Sequence, residues 1–166
     1  MCAVGTIGKR CRKKELAMRG LTLAQAVQIA DGALAKAREV AYKPMTVAVV
    51  DAGGCLLILK REDGSGNLRP DIAFAKAWGS VGMGIGGRAM AKRAGDTPQF
   101  WAALNSISGG RIAPVAGGVL VLHEGQVIGA VGISGDVSDN DEACAIAGVQ
   151  KAGFEAEVGE AALGKQ

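Results

Sequence analysis

The run Val119-Leu120-Val121-Leu122-His123-Glu124-Gly125-Gln126-Val127-Ile128-Gly129-Ala130-Val131-Gly132-Ile133-Ser134-Gly135 decides the architecture. It divides into two apolar segments, Val119 to Leu122 and Gln126 to Ile133, around His123-Glu124-Gly125. β-Branched residues crowd both segments and a short polar turn with glycine joins them, so the spacing predicts an antiparallel hairpin. Alternation along the second segment puts Val127, Val131 and Ile133 on one face and Ala130, Gly132 and Ser134 on the other. Side chains that small let a helix or a ligand come close to the strand backbone.

Upstream, Met45 to Val50 and Cys55 to Lys60 flank the tight turn Asp51-Ala52-Gly53-Gly54 and predict a second hairpin. Asp51 is expected to accept hydrogen bonds from its neighbouring amides rather than to catalyse. Before that hairpin, Thr22 with Gln25 three residues later has capping-box spacing. Leu23, Ala26, Val27, Ala30, Ala33, Leu34, Ala37, Val40 and Ala41 then form an apolar helical stripe, which Pro44 ends. After it, Glu62 to Pro70 is a polar loop and Asp71 is expected to cap a helix from Ile72 to about Met83. Gly82, Gly84, Gly86 and Gly87 break that helix. Arg88 to Ala94 is a short helix, and Thr97-Pro98 opens another, anchored by Phe100, Trp101 and Leu104. Ser138 is expected to cap the last helix, with Asp139, Asp141 and Glu142 in a first turn that favours acids. The order helix, hairpin, helices, hairpin, helix predicts an α+β fold in which helices cover an antiparallel sheet. We expect one domain over residues 21–158, between a basic tail at 1–20 and a short tail at 159–166.

Composition narrows the partners. Of 19 basic and 16 acidic residues, the first 19 positions hold six basic (Lys9, Arg10, Arg12, Lys13, Lys14, Arg19) and one acidic, Glu15. The remaining 13 basic and 15 acidic residues leave a weakly acidic body with no basic stripe, so nucleic acid is not an expected partner. The tail reads as a solvated end, and Met18 is an alternative start. No run approaches the roughly 20 apolar residues of a membrane span, and Ala3 to Gly8 is too short for the core of a signal peptide. A cytoplasmic protein with free, buried thiols is expected. Cys2, Cys11, Cys55 and Cys144 form no paired motif, and His123 is the only histidine, so no metal cluster is expected. Small apolar residues in a chain of 166 exceed what one small core can bury, which predicts a symmetric homo-oligomer.

Three segments together resemble the GlcG/HbpS family, which includes the carboxy-terminal domain of some PduO-type corrinoid proteins. They are Leu21-Thr22-Leu23-Ala24-Gln25-Ala26, then Val47-Ala48-Val49-Val50-Asp51-Ala52-Gly53-Gly54, then Pro114-Val115-Ala116-Gly117-Gly118-Val119 continuing through Val127 to Gly135 and Asp141-Glu142. The resemblance spans about Leu21 to Phe154. It implies a five-stranded antiparallel sheet with flanking helices, a symmetric oligomer, and a ligand pocket near subunit contacts. It also implies haem or iron as the associated ligand.

A ligand-binding segment is expected at Gly117, Gly118, Ser134 and Gly135, with Asp141 and Glu142 at its edge and Lys76 supplying a positive charge. Backbone amides beside a helix start can hold an anion. The alternatives are turn-forming glycines, a solvated Lys76 and acids that only compensate the helix dipole. For haem iron, His123, Cys144, Met83 and Tyr42 have suitable chemistry. His123 lies in a turn, where a surface role competes with ligation. Gly82 to Gly87 follows a helix and lacks the Lys-Ser/Thr of a phosphate loop, so it is not a nucleotide motif. Three functions fit: a haem- or small-molecule-binding accessory protein, an enzyme (lyase, isomerase or hydrolase) acting on a small carboxylate, and an oligomeric partner of a catabolic or corrinoid enzyme.

Overall fold

The computed structural model describes residues 20–159. Both tails therefore fall almost wholly outside the described residues, Cys2, Cys11 and Met18 with them.

Thr22 opens α1 (Leu23–Glu39) through the expected capping box: its hydroxyl accepts from the Gln25 amide at 3.2 Å, and its own amide donates to Gln25 Oε1 at 2.9 Å. Thr22→Ala is expected to lower stability by about 1 kcal/mol in urea denaturation, the usual worth of an N-cap. The buried face of α1 is Ala26, Ile29, Ala30, Ala33 and Ala37. Leu23 and Val40, expected in the stripe, are exposed, and Ile29 fills the core instead.

The first hairpin is β1 (Thr46–Asp51) and β2 (Leu56–Arg61). Asp51 Oδ1 accepts from Gly53 and Cys55 amides, both at 2.9 Å, as its turn position predicts. Cys55 stands just before β2 and is exposed, not buried in a strand. α2 (Arg69–Met83) starts earlier than expected. Pro70 belongs to its first turn, where a fixed φ and a missing N–H suit the helix, and Asp71 follows it rather than capping. Gly84, at φ +66°, ends it. Then come α3 (Gly87–Asp96) and α4 (Pro98–Ile107). Of the three expected anchors of α4, Trp101 is buried, Leu104 half-buried and Phe100 exposed.

The second hairpin is β3 (Gly118–His123) and β4 (Gln126–Ser134), turning on Glu124 and Gly125 with φ of +50° and +72°. Positive φ at both positions matches the twist of the strands. α5 (Ser138–Lys151) has Val137 rather than Ser138 at its cap, and β5 (Glu155–Glu157) closes the sheet. All pairs are antiparallel in the order β2-β1-β4-β3-β5.

Val47, Val49, Val119, Val121, Val131 and Ile133 meet α1 and α5 on one face. Val50, Leu120, Leu122 and Ala130 meet α2 on the other. A bulge separates the pairs Val121↔Gly129 and Leu122↔Val127, leaving Ile128 as the extra residue. Val127 consequently joins the α2 face and Ile128 the opposite core, which corrects the simple alternation expected for β4.

The small face of β4 admits a helix. A Cβ on Gly132 would stand 2.0 Å from the Ala73 carbonyl oxygen, and one on Gly118 would stand 2.6 Å from that of Lys76. α2 thus lies directly on the sheet backbone.

Candidate functional site

Two features meet at Arg88: a buried cluster of charges and an open groove. The cluster begins with Lys76, carried by α2 into the interface with the sheet and 2% exposed. Its Nζ donates to Asp141 Oδ2 at 2.9 Å and to the Ile133 carbonyl at 2.9 Å. Asp141, at the start of α5, also accepts the Asp136 amide on Oδ1 at 3.0 Å. Gly117 makes room for this pair: its φ is +105°, and a Cβ there would stand 2.8 Å from Lys76 Nζ. Burial pulls Lys76 below its ordinary value, while the Asp141 charge and hydrogen bond hold the proton on.

One residue along α5, Glu142 Oε1 accepts from Arg88 Nε at 2.8 Å. Arg88 also bonds Asp139 at 2.6 Å, and these two acids, Glu142 first, raise its already high pKa. The other Glu142 oxygen, Oε2, is buried without a hydrogen-bond partner.

The residues selected from the sequence thus fall into three groups. Lys76, Gly117 and Asp141 touch one another. Glu142 joins them only as the next residue after Asp141 and is held by Arg88. Ser134 Oγ accepts from Arg69 at 3.1 Å, while Gly118 and Gly135 are filled against backbone, Gly135 by Pro44 and Met45. Lys76 is ion-paired in the interior, so it is not the solvated residue of the alternative reading.

The groove lies along α3 and α4. One cavity of about 380 Å³ is lined by Arg88, Ala89, Lys92, Arg93, Asp96 and Gly159. A second, of about 330 Å³, is lined by Met83, Arg93, Asp96, Thr97, Phe100 and Trp101. Arg93 and Asp96 belong to both, so the two adjoin. The first end is cationic and the second is aromatic. Phe100 and Trp101 stand edge to face at 6.2 Å, and the buried Trp101 Nε1–H has no acceptor. The start of α3 is fixed by the segment after β5: the Gly86 amide donates to the Gly159 carbonyl at 2.8 Å, and a Cβ on Gly86 would meet Val158 backbone at 2.3 Å. Sequence reading passed over Arg88 and Lys92, although their i, i+4 spacing puts both charges on one helix face.

A further cavity of about 410 Å³ is lined by Arg38, Pro44, Arg61, Glu62 and Asp63. Its arginines are engaged, Arg38 with Glu62 and Lys43, and Arg61 with the Ser65 carbonyl.

Among the described residues, no group of three His, Cys, Asp or Glu side chains is placed to hold a metal, and no helix is long and apolar enough to cross a membrane. Cys144 is buried against α1, and burial pushes its thiol up to about 11. Cys55 is expected to alkylate readily in the native protein while Cys144 resists, as peptide mapping after iodoacetamide treatment would read.

A five-stranded antiparallel sheet with helices on both faces and a charged groove at one side makes up one α+β domain. The chain belongs to the HbpS-like family, described as haem degrading protein HbpS-like, whose model matches residues 21–150. It is 34% identical over 124 residues to an uncharacterised 15.0 kDa protein of the dhaT–dhaS intergenic region of Citrobacter freundii, covering 73% of this chain and 84% of that one. The crystal structure of Klebsiella pneumoniae protein ORFY is similar at a TM-score of 0.73 and 32% identity, covering 80% of this chain and 90% of that one. A double mutant of Streptomyces reticuli HbpS is similar at a TM-score of 0.70 and 30% identity, covering 90% and 96%.

Proposed function

We propose that this protein is a small-molecule-binding accessory protein that takes haem in the groove along α3 and α4. The observation carrying this reading is the adjoining pair of cavities, one cationic and one aromatic. Haem has the same division, a flat apolar macrocycle with carboxylates at one edge. Arg88, Lys92 and Arg93 suit the carboxylates, and Phe100, Trp101 and Met83 suit the macrocycle. Bound haem would supply an iron centre, and the family's description makes its degradation the activity to assay. The residues chosen from the sequence enter through Glu142, which positions Arg88 at the rim.

Haemin titration followed by the Soret band tests the reading. Saturable binding is expected, weakened about tenfold by Lys92→Glu, because reversing an exposed charge beside a bound carboxylate removes on the order of 1 kcal/mol or more. Binding that is absent, or indifferent to Lys92→Glu, would remove the groove from consideration.

A second reading, an enzyme acting on a small carboxylate, draws on Glu142 Oε2, a buried acceptor beside a cation. Turnover of small carboxylates that vanishes in Glu142→Gln, with haem binding intact, would favour it. We also infer a homo-oligomer, since Leu23, Leu68 and Ile107 stand exposed at 58%, 65% and 80%. A monomer by light scattering at micromolar concentration would refute this. A cytoplasmic setting agrees with the free thiols of Cys55 and Cys144.

A further inference from the structure

Haem iron is commonly held by His, Cys, Met or Tyr. Among the described residues, sorting such side chains by position leaves one. His123 ends β3, and the start of that strand, Gly118, is what faces α3 through Gly87. Five strand steps at about 3.4 Å put His123 roughly 17 Å from there. It packs edge-on against Phe154. Tyr42 packs on the α1–α5 side of the sheet, away from α3. Met45, Met90 and Cys144 are fully buried, and Cys55 sits in the β1–β2 turn. Met83 is different. It is the last residue of α2, half-buried, packed beside Trp101, and it lines the aromatic cavity.

We propose that Met83 is the residue of this chain that ligates haem iron, an assignment that rests on the haem reading above. Its thioether is neutral and soft and binds no proton, so it favours the ferrous over the ferric state and raises the potential of the iron it holds. The Gly84 cap ends the helix immediately after Met83 and keeps this side chain at the cavity wall. Ligation through Met83 would not need the buried charges around Lys76, so the two features are separable.

The experiment is a spectroscopic and potentiometric titration of the full chain with haem, as wild type, Met83→Leu and Met83→His. The wild type is expected to bind ferrous haem more tightly than ferric haem. Met83→Leu should keep most of the affinity, because the aromatic and cationic contacts are intact, but shift the Soret and visible bands away from those of the wild type and show a lower reduction potential. Met83→His should give a third spectrum, that of imidazole-bound iron, at a potential below that of the wild type. Met83→Leu and Met83→His spectra that both match the wild type would overturn the ligand assignment while leaving haem binding in place. No saturable haem binding by the folded wild type would overturn the haem reading, and this assignment with it.

Discussion

Asp141→Ala is expected to lower the unfolding free energy by about 3–5 kcal/mol, the range for removing one partner of a buried ion pair. Lys76 would be left inside with the Ile133 carbonyl as its hydrogen-bond acceptor and without the paired charge that offsets its burial. The Asp136 amide would lose its acceptor as well. Urea denaturation measures this directly. The companion variant Lys76→Met with Asp141→Leu should recover most of the loss, because it removes both charges from a region already 97% or more buried at each side chain. A double variant as unstable as Asp141→Ala would show that hydrogen bonds to the loop before α5, and not the uncompensated charge, set the penalty. The pH dependence follows from Lys76. Its folded value is depressed below 10.5, so the unfolded chain binds its proton more readily. Below 10.5, down to the folded value, this group alone makes stability rise with pH.

Gly132→Val is expected to be comparably severe, roughly 3 kcal/mol or more, since overpacking at a rigid contact forces backbone to move. The new Cβ would stand 2.0 Å from the Ala73 oxygen and 2.6 Å from the Ala77 amide nitrogen. Neither atom is a flexible side chain. Gly118→Val meets the same helix one strand over and is expected to behave alike. Thermal unfolding and the oligomer size read the effect. A Gly132→Val protein within 1 kcal/mol of the parent, on the general scale of surface substitutions, would show that α2 is not seated on the sheet as described. Any ligand study on these glycines has to separate lost binding from lost helix docking.

Local chemistry made much of the fold legible. Thr22 and Gln25 announce α1, and Asp51 with its glycines announces the first hairpin, because each uses side chains to satisfy nearby backbone groups. Pro70 misled the placement of α2, since proline both ends loops and starts helices. The Ile128 bulge was invisible, because a bulge depends on the partner strand and not on the bulged segment alone. β5 is three residues long and polar at both ends, too short for any period to register. At the site, Lys76 and Asp141 were selected, but the sequence could not tell that they pair, 65 residues apart. Arg88 and Lys92 look like ordinary solvated charges until α3 is placed beside Met83 and Trp101.

The Gly86–Gly159 bond ties the groove to the segment that follows β5. A nascent chain that has delivered both hairpins holds four strands and a cap for α1, yet the start of α3 still lacks its carbonyl partner. Residues near 159 must emerge before that corner closes. Four of the five strands can therefore be in place on the ribosome while the corner where the Gly86 amide meets the Gly159 carbonyl stays open.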